Sequence, residues 1–368
     1  MKQNKAEVFN EEQQEVLKSI RTSRILLPII IGLGVVGYLL WSAFDPEEFA
    51  KIEWTGHILF WCLLSFILLI VRHLAYALRL RILSERQFSW KKCIELIFIW
   101  EFSSAVSPTS VGGSAVAMVV LSQEKLPAAK TTTLVLHSAI LDTIFFIGIL
   151  PIFFIFFGTN MIRPGMETLS DLDGWGFTFV GAYIFMALYG AFFFYGLFIN
   201  PRTIKRIIVA CTRIGFLRKY RKAAVKLGNE IIMASAEMKL KKWGFHIGAF
   251  LATATAWSCR FLLLNCLIIA FMHTPVDLFT QSGLYARLQT MFVIMAFSPT
   301  PGGAGFAEVV FGGFLSDYVN SGTLSFIITL IWRLFTYYFY LLAGAIIIPN
   351  WIRNIMNERK RQRLLNEE

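Results

Sequence analysis

The sequence predicts an all-α polytopic integral membrane protein, with about six full transmembrane helices and two re-entrant helical hairpins in an inverted-topology repeat. Three observations carry that expectation. Of 368 residues, 56% are hydrophobic and only 16% are charged, with a mean hydropathy of +0.60; a soluble domain carries charges at about a quarter of its positions. The apolar residues gather into runs of about twenty, the length that crosses a bilayer. The charges gather between those runs, so the net charge of +11 belongs to membrane-side connections and not to a nucleic-acid-binding face. An ordinary soluble enzyme and a nucleic-acid partner are both excluded.

Full spans are expected near 25–44, 54–78, 130–157, 175–199, 244–272 and 323–347. The first follows a polar stretch ending at Arg24 and reads as a retained signal anchor. Basic residues then set the sidedness, because cytoplasmic loops are rich in Lys and Arg. Lys2, Lys5, Lys18, Arg21 and Arg24 precede the first span. Arg79, Arg81, Arg86, Lys91 and Lys92 follow the second, twelve basic residues occupy 200–243, and five follow Ile352. The alternate connections read DPEEFAKIE (45–53), carry Glu167, Asp171 and Asp173 (158–174), or hold no basic residue (273–284). Both termini are therefore expected in the cytoplasm of a multi-pass protein of the cell (inner) membrane.

Two further apolar stretches, 93–122 and 285–315, are broken in the middle by Pro and Gly. Lys91, Lys92, Lys125 and Lys130 flank the first, so both its ends belong inside. Asp277 and Asp317 flank the second, with no basic residue in either flank, so both its ends belong outside. A chain that enters and leaves on one face has not crossed. The layout becomes a cytoplasmic segment 1–24, a first half 25–199 holding hairpin 93–122, and a basic linker 200–243. A second half 244–349 holds hairpin 285–315, and 350–368 forms a cytoplasmic tail. The linker alternates basic and apolar residues at near-helical spacing, as an amphipathic helix on anionic headgroups does.

The breaks reveal a repeat. At a constant offset of 191, Ser107, Pro108, Thr109 and Gly112 match Ser298, Pro299, Thr300 and Gly303 without a gap. Hairpins entering from opposite faces make this an inverted-topology repeat, a plan common among secondary transporters. Pro299 and Pro301 lack an N–H and end the first half-helix of the second hairpin, and Gly302, Gly303 and Gly305 permit a tight reversal. The next half-helix then opens with free N–H groups and a positive dipole end, which attract a phosphate or carboxylate. Thr109, Ser110, Gly112 and Gly113 do the same in the first hairpin. The candidate binding set is therefore Thr109, Ser110, Gly112, Gly113, Thr300, Gly302, Gly303, Gly305 and Glu308. The alternative is that these Gly and Pro residues serve only folding and helix contact.

The same offset places Asp142 on Arg333, each about ten residues into its helix and so near mid-depth. Glu101, Asp142 and Glu308 stand against Arg72, Arg260 and Arg333 within the apolar runs. They either neutralise one another to fix helix packing or line a polar path. Five cysteines (Cys62, Cys93, Cys211, Cys259, Cys266) show no metal or redox spacing and read as small core residues. The histidines are scattered, with no HExxH. No catalytic residue, metal or cofactor is expected. His137, one turn before Asp142, reads as a packed or pore-lining residue.

FSPTPGGAGFAE (297–308) resembles the Pro-Gly-Gly-x-Gly-x-x-Glu element of the lysylphosphatidylglycerol synthase transmembrane family. WRLFTYYFYLLAG (332–344) resembles the Tyr-Arg-Leu-x-Thr-Tyr span that follows it there. That family includes the lipid-flipping half of the multiple peptide resistance factors. The resemblance implies roles for Gly302, Gly303, Gly305, Glu308 and Arg333. The first hairpin departs from the family pattern, with Val116 and Ala117 where an Arg is usual, and Ser138 and Ala139 replace a charged pair while Asp142 remains. A different headgroup is therefore expected. The chain runs out soon after the last span, so the aminoacyl-transfer domain of bifunctional members is expected to be absent.

The leading functional expectation is a lipid flippase or transporter of a lipid-linked substrate, moving a phosphate-bearing headgroup through a mid-membrane groove. A secondary transporter of a small soluble anion fits the same repeat, and an intramembrane lipid-modifying enzyme ranks third. The expected partners are membrane phospholipid and, at the linker, anionic headgroups. A homodimer is left open.

Overall fold

The structure, a computed structural model, describes residues 38, 46–50, 52–106, 110–124, 126–272, 274–298, 300–303 and 305–367. Every regular element among the described residues is helical. Five helical stretches are long and apolar enough to cross a membrane: Gly56–Leu83, Ala129–Met161, Gly174–Ile199, Trp243–Met272 and Gly322–Glu358. They correspond to five of the six expected spans. The sixth, 25–44, lies outside the described residues except for Tyr38.

The first of these, α1 (Gly56–Leu83), shows how the sequence makes a membrane helix. Thr55 caps its start by accepting the Ile58 N–H, and every later amide is satisfied within the helix, as lipid demands. One stripe buries Ser65, Leu69, Arg72, His73, Tyr76 and Arg79, while Leu59, Phe60, Leu63, Ile67 and Ile70 stay exposed. Polar groups inside and hydrocarbon outside is the inverse of a soluble helix, because here the solvent is apolar. This span runs to Leu83, so Arg79 is a helix residue; counting it as a loop cation is corrected.

The first broken stretch forms α2 (Trp90–Val106) and α3 (Ser110–Gln123), and α4 (Ala128–Phe157) and α5 (Gly174–Phe194) follow. The linker is two helices and not one. The pair α6 (Pro201–Cys211) and α7 (Arg221–Lys239) is joined through a 3-10 turn, Gly215–Tyr220. They pack closely because Gly228 admits the Lys205 stem, whose Cγ lies 2.5 Å from where a Cβ would sit. Charges fasten α7 below: Lys130 pairs with Glu85 and Glu237, and Lys241 reaches Glu85 at 2.7 Å. Hydrogen bonds from Lys130 and then Lys241 hold the Glu85 carboxyl down to about 2. Lys130, expected as a flanking cation, is thus 5% exposed and already neutralised.

The second half contains α8 (Trp243–Met272), α9 (Leu278–Met295), α10 (Phe306–Phe314), α11 (Gly322–Arg333) and α12 (Phe339–Glu367). A single π-helical turn, Leu334–Tyr338, joins the last two. The four arms of the broken stretches have 17, 14, 18 and 9 residues, and none is among the spans. The arms of the first fit tightly: a Cβ on Gly113 would lie 2.9 Å from Ser104 Cα. Each pair of arms is clasped at its open end. Lys92 holds Glu124 at 2.7 Å, and Arg287 Nη1 donates to Asp317 and to the Phe314 carbonyl, both at 3.0 Å.

Shifting the chain by 191 positions carries 56–83 onto 247–274, 90–106 onto 281–297, and 128–157 onto 319–348. The elements found there are α8 and α9, within a few residues, and α11–α12, which start three residues later and run on to Glu367. The equivalent helices α1 and α8 pack along their length in opposite directions. Ser65 Oγ donates to the Leu263 carbonyl at 3.0 Å, while Arg79 meets Thr253 at 3.4 Å. The two breaks converge, with a Cβ on Gly302 only 2.8 Å from the Ala105 carbonyl.

A charged central cavity as the candidate functional site

A cavity of about 610 Å³ opens where the breaks meet. The non-helical backbone of the second break forms part of its wall through Ser298, Thr300, Gly302 and Gly303. Unpaired backbone is tolerated at membrane depth only in such a place. Gly302, Gly303 and Gly305 have φ of 57°, 71° and 79°, the left-handed region that glycine enters without a steric penalty. The reversal is stitched by Ser298 Oγ and Thr300 Oγ1 at 3.0 Å, and by the Gly303 N–H donating to the Thr300 carbonyl at 3.0 Å.

Charged side chains line the cavity. Asp142, on α4, accepts from Arg79 Nη1 at 2.5 Å and from Trp257 Nε1 at 2.9 Å, with 30% of its side chain left open. Glu101, on α2, pairs at 2.7 Å with Arg72, which is fully buried and also donates to the Tyr340 hydroxyl at 3.1 Å. Arg333 donates from Nη1 to the Gly302 carbonyl at 2.7 Å, and its guanidinium sits 4.2 Å from the Tyr337 ring. Its Nε lies 3.6 Å from Glu308, and its Nη2 has no hydrogen-bond partner in the structure. Arg260 rests its guanidinium against Phe292 (4.7 Å) and Trp257 (5.4 Å). Among the described residues it has no ion-pair partner.

Apolar and aromatic residues share the lining, including Phe146, Phe185, Met186, Phe292 and Phe297. Phe185 and Phe297 meet edge to face at 5.4 Å. They are 57% and 46% exposed as well as lining the cavity.

Of the residues singled out in the sequence, Glu101, Asp142, Arg260, Arg333, Thr300, Gly302 and Gly303 line this cavity together. Arg72 and Glu308 stand behind it, each holding a lining residue. Glu308 lies in the first turn of α10, and Gly305 is its N-cap. Glu308 therefore sits in the same turn as that helix end, with Arg333 Nε 3.6 Å away. Gly113 serves arm packing against Ser104. Ser110 and Gly112 fall in the first turn of α3, and Thr109 lies outside the described residues. His137 packs against Phe198, Phe245 and His246 and is not a lining residue.

Sequence reasoning missed Arg79 and Arg287. The signal for Arg79 was helical periodicity: it continues the Leu69, Arg72, Tyr76 stripe by one turn. The pairing also differs from three acids neutralising three bases within the apolar runs. Arg79 takes Asp142 and leaves Arg260 without a carboxylate.

The family model for the lysylphosphatidylglycerol synthase TM region matches residues 29–344. A UPF0104 membrane protein of Archaeoglobus fulgidus is 26% identical over 298 residues, covering 78% of this chain and 85% of the relative. No solved structure gives a significant match. The matched region takes in both broken stretches and every charged residue of the cavity, and the chain belongs to the lysylphosphatidylglycerol synthase transmembrane-region family.

Proposed function

We propose that the protein is a lipid flippase or carrier of a lipid-linked substrate, passing a polar headgroup through the central cavity while the acyl chains stay in the bilayer. The observation that carries this reading is the cavity's mixed lining. Charged side chains and aromatic ones line the same space, and two of the aromatic residues, Phe185 and Phe297, are also exposed on the outside of the protein. An amphiphile needs such a side opening; a soluble anion does not. The proposal is transport and not chemistry: each carboxylate of the charge cluster is paired with an arginine.

In this reading the broken stretches are re-entrant hairpins of an inverted repeat. The antiparallel packing of α1 on α8 supports it, as do arms that are too short or, in α9, not apolar enough to qualify as spans. Both termini then lie in the cytoplasm of the cell membrane. The linker rests on anionic headgroups through exposed Arg213, Arg218, Lys219 and Lys222 beside exposed Ile214, Phe216 and Tyr220.

The test is transbilayer movement of fluorescent phospholipids in proteoliposomes, comparing wild type with Gly303→Leu and Glu308→Gln. Accelerated movement in wild type, reduced in both variants, is the expected result. Folded wild-type protein that moves no headgroup at all overturns the lipid reading in favour of a soluble anion.

A further inference from the structure

The central charge cluster does not sum to zero. Its guanidiniums are Arg72, Arg79, Arg260 and Arg333, and its carboxylates are Glu101, Asp142 and Glu308. Three pairs form, Arg72 with Glu101, Arg79 with Asp142 and Arg333 with Glu308. Arg260 is left over. A guanidinium carries five N–H donors and stays protonated, and an unpaired charge at membrane depth is costly. Aromatic faces on Trp257 and Phe292 ease that cost without cancelling the charge. Glu101 is already committed to Arg72 at 2.7 Å, and no carboxylate lies within 4 Å of Arg260 among the described residues. Arg333 also lines the cavity, but its Nη1 is held by the Gly302 carbonyl at 2.7 Å and its Nε lies 3.6 Å from Glu308.

Resting on the transport reading above, we propose that the cavity selects a singly charged phosphodiester whose headgroup carries no cation, with Arg260 as its receiving residue. One negative charge brings the cluster to neutrality. A phosphodiester supplies it together with oxygens that match the planar guanidinium fork. A phosphomonoester brings an excess charge. A zwitterionic headgroup delivers its ammonium to a lining where every carboxylate already holds an arginine.

The proposal is tested by binding to the purified full-length protein in detergent, read from tryptophan fluorescence, since Trp257 and Trp332 line the cavity. The probes are dihexanoyl phosphatidylglycerol and dihexanoyl phosphatidylcholine below their micelle concentrations, and soluble glycerophosphoglycerol. Wild type is expected to bind the glycerol headgroup at least tenfold more tightly than the choline headgroup. Arg260→Gln is expected to erase that ratio, and Arg260→Lys to keep part of it. Equal affinity for both headgroups in wild type, or an unchanged ratio in folded Arg260→Gln, overturns the proposal. Either result leaves the flippase reading intact if proteoliposomes still move both lipids. Soluble diester bound as tightly as the acylated form, and lost in Arg260→Gln, supports the anion selectivity while removing the lipid. The headgroup comparison in wild type stands even if the Gln variant fails to fold.

Discussion

The two halves of the chain share a helix layout and differ in chemistry. Elements recur 191 positions apart, yet of the seven charged residues in the central cluster only Asp142 and Arg333 fall on equivalent positions, with opposite sign. Arg72 corresponds to Leu263, Arg79 to Ala270, Glu101 to Phe292, Arg260 to Leu69, and Glu308 to Ala117. Helix packing asks only for shape and can be duplicated. The helix layout therefore recurs along the chain while the cavity side chains do not.

The largest effect expected from breaking this comparison is at Arg72. Replacing it with Leu, its counterpart in the second half, strands Glu101 beside the cavity without its partner; removing one member of a buried pair costs about 3–5 kcal/mol. Thermal unfolding in detergent should show a marked loss for Arg72→Leu. Much of that loss should return in Arg72→Leu combined with Glu101→Phe, which copies the other half at both positions.

Next come the close approaches at the breaks. Gly302→Ala puts a Cβ 2.0 Å from the Tyr337 ring and 2.8 Å from the Ala105 carbonyl, at a residue with φ of 57°. Overpacking and strain of this kind cost about 1–3 kcal/mol. Gly113→Ala meets the Ser104 backbone at a negative φ, so its loss should be smaller. A Gly302→Ala protein as stable as wild type would mean that the two breaks do not meet as described.

Asp142→Asn and Arg333→Gln sharpen the comparison directly. Each should lower lipid movement several-fold while leaving folded protein in membranes, since the first leaves Arg79 over the Tyr76 ring and beside Thr253, and the second leaves Glu308 in its helix turn. Unchanged transport in both would show that the equivalent charges serve packing alone.

The smallest effects belong to the surface. The Lys92–Glu124 clasp is partly exposed, and Lys92→Gln should cost no more than about 1 kcal/mol. Glu85 has its folded pKa pushed from 4.5 to about 2 by Lys130 and Lys241. Its contribution is therefore complete above pH 4.5 and is lost as pH falls towards 2. At 40% side-chain exposure that contribution is screened and modest. Protease cleavage of the α6–α7 linker should rise between pH 4.5 and 3, and Glu85→Gln should flatten that rise.

Much of this was legible in the residues. Long apolar runs must become satisfied helices in lipid, so five described spans fall close to their expected limits. Pro and Gly at 299–305 marked the second break because few other residues can turn there. The offset of 191 was visible because backbone punctuation repeats even where side chains do not. Arg79 was misplaced for a physical reason as well: a Lys/Arg count assigns arginine to the nearest loop, whereas the α1 stripe carries it inward to Asp142.

The sequence by itself determined the membrane class, the family, the breaks and six of the seven charges of the cluster, because length, periodicity and residue type act locally. Only the tertiary structure decided which charges meet. Ion pairing depends on distance between helices far apart in the chain, and among the described residues three of these four arginines found a carboxylate while Arg260 did not. That unmatched charge is a property of the assembled cavity, and no single helix carries it.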